Sequence, residues 1–320
     1  MRALTVQPGQ ADSLAVEDID EPTAGPDEMR VAGLAIGVCG TDKEIAAGAY
    51  GWLRRDVIAW FSATSRWAGC SARPTAVTSS KATWWSAWCV DPIRCPAAPA
   101  PTVSSTCAAT AATPNGVSKR STDTAAKSGV WKPITQSKID DALAEVGMLM
   151  EPTTVVAKAW EQVYRVGQRA WFEPRTALVT GAGPIGLLAA LLGVQHGLEV
   201  HVLDRVTDGP KPGIVDALNA TYHHTSVEEA VGKVQPDIVI EATGVGSLVF
   251  DAMKVTGSYG IVALTGVSPT GRNLTVDAGG LNRDIVLEND AVVGSVNANL
   301  RHYRQAAEAL AKAIRRGWPA

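Results

Sequence analysis

Thr176-Ala-Leu-Val-Thr-Gly-Ala-Gly-Pro-Ile-Gly-Leu-Leu-Ala-Ala190 is the stretch that decides the fold. Ala177–Thr180 is a short apolar run of the kind that forms a buried strand, and an Ala/Leu-rich helix is predicted from Pro184 to about His196. Between them Gly181, Gly183 and Gly186 stand at G-x-G-x-x-G spacing, with Pro184 and Ile185 opening the helix. Each glycine answers a separate demand. The first permits a tight turn, the second lets backbone approach a pyrophosphate, and the third lets strand and helix pack closely. The helix N-terminus then faces the anion with its unpaired N–H groups.

The surroundings keep the same register. Glu199–Leu203 predicts a second strand ending in Asp204, 18 positions after Gly186, where an acid meets the adenosine ribose hydroxyls. Further strands are predicted at Ile238–Glu241, Ile261–Leu264 and Ala291–Ser295. Each is followed by a turn signal: Thr243-Gly244, Thr265-Gly266-Val267, and Ser295 with Asn297. In a doubly wound parallel sheet those carboxyl ends line the cofactor crevice, so all of these residues are candidates for NAD or NADP binding. The Asp204 carboxylate would repel a 2′-phosphate and so favours NAD, whereas Arg205 beside it could hold that phosphate.

Outward from this core, 320 residues suffice for one large or two ordinary domains, and 46% hydrophobic residues permit a real core. A net charge of -3 excludes a strongly basic nucleic-acid binder. No apolar run approaches the ~18–20 residues a bilayer span needs, and Met1–Gln10 has no signal-peptide core, so a cytoplasmic protein is expected. The averages hide a break. Residues 1–51 hold 3 basic and 9 acidic side chains, 52–138 hold 11 and 3, and 139–320 hold 15 and 20. The middle segment has no Glu, no Tyr and one Leu (Leu53), yet it carries seven of the ten Trp and four of the five Cys. No sustained strand or helix period is visible there.

Three further motifs carry a family resemblance. Gly37-Val38-Cys39-Gly40-Thr41-Asp42, Met150-Glu151-Pro152 and Gly294-Ser295-Val296-Asn297, together with the Gly181–Gly186 turn, resemble the zinc-dependent medium-chain dehydrogenases. More narrowly they are similar to the glucose 1-dehydrogenase branch, over residues 1–51 and 139–313. The resemblance implies a GroES-like β-barrel catalytic domain beside a Rossmann domain. It also implies oxidation of an aldose, expected to be D-glucose, to the lactone with hydride passed to NAD(P), and a homo-oligomer. By position it makes Cys39 a zinc thiolate ligand, Thr41 a substrate-contacting hydroxyl and Glu151 a carboxylate near the metal. A thiolate and a carboxylate can help hold Zn²⁺ with one position open to polarise a substrate hydroxyl. The family also needs a Gly-His-Glu segment about 25 residues after the cysteine, which this sequence lacks. Histidine occurs only at positions 196, 201, 223, 224 and 302.

A shifted reading frame accounts for the break. Taking the last base of each codon with the first two of the next, Trp60 followed by Phe61 must read Val, and Trp67 followed by Ala68 must read Gly. With G/C-rich third bases, Asp56–Cys70 can read Arg-Asp-Arg-Leu-Val-Leu-Gly-His-Glu-Ser-Leu-Gly-Arg-Val-Leu, so the missing Gly-His-Glu falls at Ser62–Ser65. The same shift gives family-like segments at Thr106–Lys119 and Ser121–Ala125, and a plausible helical continuation at Ala313–Pro319. Cys70, Cys89, Cys95 and Cys107 are then neither zinc ligands nor disulfide partners, and their spacings fit no C-x-x-C pair.

The sequence thus predicts an α/β protein in three parts. Residues 1–51 begin a GroES-like catalytic domain, 52–138 are out of frame and expected without ordered structure, and 139–320 form a Rossmann domain truncated at its C-terminus. Metal ligation is expected from Cys39 and Glu151 in an incomplete zinc site, so catalysis is expected to be impaired. Two other readings stay open: a non-catalytic NAD(P)-binding fragment, and a zinc-free reductase of the same superfamily.

Overall fold

A computed structural model describes residues 2–7, 9–21, 23, 29–49, 65–70, 83–88, 125–126, 128–131, 136–232, 235–269, 271 and 273–317. The chain divides into two compact units. One comprises residues 1–151 with 299–307, the other 152–298 with 308–320. The division therefore falls at Glu151/Pro152, and the segment around His302 groups with the first unit.

The second unit is built on a six-stranded parallel sheet. Its strands are β9 (Thr176–Thr180), β10 (Glu199–Leu203), β11 (Thr221–His223), β12 (Ile238–Glu241), β13 (Ile261–Leu264) and β14 (Ala291–Gly294), in the order β11-β10-β9-β12-β13-β14. All residues of β9 and β12 are buried, as expected for central parallel strands covered on both faces, and this is why they read as unbroken apolar runs. The order reverses on either side of β9, which places the topological switch point, and hence the crevice, at the end of that strand. Five of the six strands follow the predicted apolar runs. The sixth, β11, is a three-residue edge strand too short and too polar to signal itself.

The helix Pro184–Gln195 follows β9 with proline in its first turn, where a missing N–H costs nothing. It buries Leu188, Ala189, Ala190, Leu191 and Leu192, so it is covered on most sides. The indole N–H of fully buried Trp160 donates to the Ala189 carbonyl at 3.2 Å, satisfying the one polar atom of the largest core side chain. On the sheet, Leu178, Leu203, Val227, Val239, Ala252 and Val262 form a single apolar cluster.

The first unit holds two antiparallel sheets. Strands β1 (Arg2–Thr5), β2 (Ala15–Asp18) and β6 (Ala125–Ala126) make one, in the order β2-β1-β6. The other runs β7-β3-β4-β5-β8, from β3 (Met29–Gly37), β4 (Ser65–Cys70), β5 (Thr83–Trp88), β7 (Ser128–Trp131) and β8 (Gln136–Ile139). Strands within 65–70, 83–88 and 125–138 differ from the expectation of a patternless segment. The physical reason is that ladders are made by backbone groups, which are the same whatever the side chains, while Thr, Trp, Trp and Trp at positions 83, 84, 85 and 88 are strand-favouring residue types in a run without alternation. Cys70 ends β4. Cys89, Cys95, Cys107, residues 62–64 of the shifted Gly-His-Glu and the shifted segment 106–119 lie outside the described residues. No helix among the described residues is long and apolar enough to cross a membrane.

Candidate active site

The crevice at the carboxyl end of the parallel sheet gathers the predicted loops. Gly181 leaves β9 at φ +96°, a conformation that strains any residue with a Cβ, and the glycine therefore sets the turn. A Cβ at Gly186 would overlap the Gly181 carbonyl oxygen, so the third glycine is required by strand–helix contact. A Cβ at Gly183 would meet nothing within 4 Å, so the second glycine faces open space. The neighbouring turns close in from the other side. A Cβ at Gly181 would lie 2.8 Å from Thr243 Cγ2, one at Gly244 would lie 2.5 Å from the Val267 oxygen, and one at Gly266 would overlap the Gly244 nitrogen. Thr243, Gly244, Thr265, Gly266 and Val267 are thus packed into one rim. Ser295, at the end of β14, is buried, and its Oγ has no hydrogen-bond partner among the described residues. Asn297 is exposed, at φ +61°.

Two carboxylates hold this rim in shape. Glu241, the last residue of β12, is fully buried. Its Oε1 accepts the Thr243 N–H at 2.7 Å and the Gly244 N–H at 3.0 Å, and also the Thr243 hydroxyl. Asp204, after β10, accepts the Ala182 N–H at 2.7 Å and Lys211 Nζ at 2.9 Å through Oδ2, and the Val206 N–H at 3.0 Å through Oδ1. Burial pushes its pKa upward, but the Lys211 hydrogen bond, the two backbone N–H groups and the Lys211 charge outweigh that and hold it below the usual carboxylate range. Arg205 beside it is exposed. The sequence reading missed both Glu241 and Lys211. An acid closing a strand two residues before Thr243-Gly244 was the available signal for the first. A lysine seven positions after Asp204, in Gly-Pro-Lys-Pro-Gly, was the signal for the second.

A dinucleotide fits this crevice on two observations. Open space stands over Gly183, where a Cβ would intrude on a pyrophosphate, and a buried serine hydroxyl at Ser295 lacks a partner.

In the first unit, Cys39 precedes the short helix Gly40–Ala46, which carries Thr41 in its first turn. The Cys39 N–H donates to Asp42 Oδ2 at 2.6 Å, and Asp42 is fully buried. Glu151 stands in the first turn of the helix Met150–Gly167. Burial, and then the charge of Asp42, push its carboxyl up to about 7. Asp42 thus accepts from the Cys39 N–H and its charge acts on Glu151. Among the described residues no group of three or more His, Cys, Asp or Glu side chains could hold a metal. Four of the five histidines are engaged elsewhere. His196 packs against Trp160 and Tyr164, His201 Nδ1 lies 2.9 Å from His223 Nε2, and buried His302 accepts the Asn299 N–H at Nδ1.

Comparison with known proteins bears on both units. Residues 144–318 match the family described as glucose dehydrogenase C-terminus. Glucose 1-dehydrogenase of Methanocella arvoryzae is 33% identical over 334 residues, covering 100% of this chain and 90% of that protein. Glucose 1-dehydrogenase of Thermoproteus tenax is 33% identical over 330 residues, covering 96% and 86%. Among solved structures, Haloferax mediterranei glucose dehydrogenase in complex with NADP, Zn and gluconolactone superposes with a TM-score of 0.79 at 26% identity, covering 98% of this chain and 89% of that one.

Proposed function

We propose the following for a chain that belongs to the glucose 1-dehydrogenase family of medium-chain dehydrogenases: it binds NADP or NAD in the crevice after β9, and its intact gene product oxidises D-glucose or a related aldose to the lactone. The observation that supports this is the close packing of the turns after β9, β12 and β13, with open space left over Gly183. The bound cofactor supplies the hydride acceptor. Backbone N–H groups at the start of the helix Pro184–Gln195 would hold the pyrophosphate, and Gly181 and Gly183 would allow it to approach. The rim formed by Thr243, Gly244, Thr265, Gly266 and Val267, with Ser295 and Asn297, would border the nicotinamide half of the bound cofactor.

Cys39 and Glu151 would contribute a thiolate and a carboxylate to a zinc site, with Thr41 toward the substrate. The imidazole that the family uses is missing, and residues 52–138, read out of frame, would supply it in the corrected frame. The 320-residue chain is therefore proposed to bind cofactor without turning over glucose, and the frame-corrected protein to be an active homo-oligomer. NAD(P)H formation at 340 nm with glucose, measured for both proteins purified free of host dehydrogenases, tests this. Expected are no metal-dependent turnover for the chain as it stands and turnover after correction at 52, 138 and 313. Metal-dependent glucose oxidation by the unaltered chain would refute the frame argument.

A further inference from the structure

Asp204 occupies the position where a dinucleotide fold usually reads the ribose diol, and an acid there normally disfavours a 2′-phosphate. Its surroundings here argue for another role. A carboxylate has about four lone-pair positions, and three protein donors already use this one: the Ala182 and Val206 N–H groups and Lys211 Nζ. At most one position is then left for two ribose hydroxyls. The carboxylate is also neutralised at close range, since the Lys211 ammonium lies 2.9 Å away in an ion pair whose side chains are 31% and 13% exposed. The repulsion that the sequence assigns to Asp204 is thus offset by Lys211, a residue in the first turn of the helix Pro210–Ala217. An ammonium has three donors, and one of them is spent on Asp204. Lys211 is also better held than exposed Arg205, so less side-chain freedom is lost when it meets an anion.

We propose that Lys211 is the specificity-determining anchor for the 2′-phosphate of NADP, with Asp204 acting as the positioning residue that braces Lys211 against the glycine turn. The inference rests on the dinucleotide reading of the crevice given above. It makes NADP the preferred cofactor, and it assigns Arg205 the smaller part.

Calorimetric binding of 2′,5′-ADP and of 5′-AMP to the full 320-residue chain tests it without any turnover. The unaltered chain is expected to bind 2′,5′-ADP at least about tenfold more tightly than 5′-AMP, equivalent to about 1.4 kcal/mol. Lys211→Gln should remove that preference while leaving 5′-AMP affinity within about twofold. Lys211→Arg should keep it, and Arg205→Gln should lower it by less than Lys211→Gln does. A chain that binds both nucleotides equally, or a Lys211→Gln variant that retains the preference, overturns the proposal and leaves the dinucleotide site standing. Equal weakening of both ligands by Lys211→Gln, with Lys211→Arg failing to restore either, also overturns it, because the lysine would then serve the loop and not the phosphate. Failure of the unaltered chain to bind either nucleotide overturns the dinucleotide reading together with the proposal.

Discussion

Alanine at Gly183 and alanine at Gly186 should produce opposite phenotypes, although the two glycines lie three residues apart in one motif. A methyl group at Gly186 would overlap the Gly181 carbonyl oxygen and stand 2.8 Å from its carbon and 3.5 Å from Val179 Cγ1. The Cβ–oxygen separation would be far inside ordinary contact, so the helix would have to retreat by roughly 1.5 Å. It cannot do so freely, since its apolar residues are buried on most sides. Overpacking of this kind costs about 1–3 kcal/mol, and the Gly186→Ala protein should lose stability on that scale. At Gly183 the added methyl meets nothing within 4 Å, and the backbone there is extended at φ -80°, so no strain arises. Alanine is a poorer N-cap than glycine, but the expected cost stays below about 1 kcal/mol. Its effect should fall on the cofactor, because the space it fills is the approach to the pyrophosphate. Urea midpoints, hydrogen exchange at the β9 amides and NADPH affinity separate the two outcomes. Gly186→Ala should lower protection in β9, whereas Gly183→Ala should preserve it and weaken NADPH at least about tenfold. Unchanged NADPH affinity in Gly183→Ala, or unchanged stability in Gly186→Ala, would refute the reasoning.

Glu241→Ala should destabilise the second unit by about 2–4 kcal/mol, read from the urea midpoint, because three donors in the Thr243-Gly244 turn lose their acceptor at once. Glu151 predicts a pH dependence in metal-free protein. Its folded pKa of about 7 lies above its ordinary 4.5, so between those values the folded state keeps a proton that the unfolded chain has released. Stability should therefore fall as pH rises through that window, by about 3 kcal/mol at most, and Glu151→Gln should flatten the slope. Equal slopes for the two proteins in chelator-treated urea titrations would contradict this. Asp204→Ala should weaken 2′,5′-ADP as well as 5′-AMP, since Lys211 loses its brace and Ala182 its acceptor. Stronger 2′,5′-ADP binding in that variant would return Asp204 to a purely repulsive role.

The nucleotide-binding unit was legible because its central strands are covered on both faces and announce themselves as apolar runs. Ala177–Thr180 and Ile238–Glu241 could hardly be read otherwise, and the glycine spacing pointed to the strand–helix turn that follows β9. Glu241 and Lys211 were not legible, because an acid or a lysine gains its role from which N–H groups or charges fold opposite it. Strands Ser65–Cys70 and Thr83–Trp88 escaped for a different reason. Alternation of polar and apolar residues is the signal for a strand, and these two segments do not alternate, although their backbone still carries every donor and acceptor a ladder needs.

The positions of Glu241 and Asp204 explain why an acidic rim can serve an anionic ligand at all. Strands β10 and β12 flank β9, so these two carboxylates stand on either side of the glycine turn. Each accepts two backbone N–H groups from the adjacent loops: Ala182 and Val206 for Asp204, Thr243 and Gly244 for Glu241. Four loop amides are thereby fixed before any ligand arrives, which lowers the ordering cost of binding. The same arrangement brings two negative charges near a pyrophosphate, and that repulsion must be offset. At Asp204 the Lys211 ammonium does so directly. At Glu241 no cation is paired among the described residues, and the N–H dipoles of Thr243 and Gly244 take up the charge within the loop. The loop braced by Asp204 therefore carries a removable counter-charge, and the one braced by Glu241 does not. Discrimination between phosphorylated and unphosphorylated ribose belongs on the β10 side of the crevice, and rigidity of the rim belongs on the β12 side.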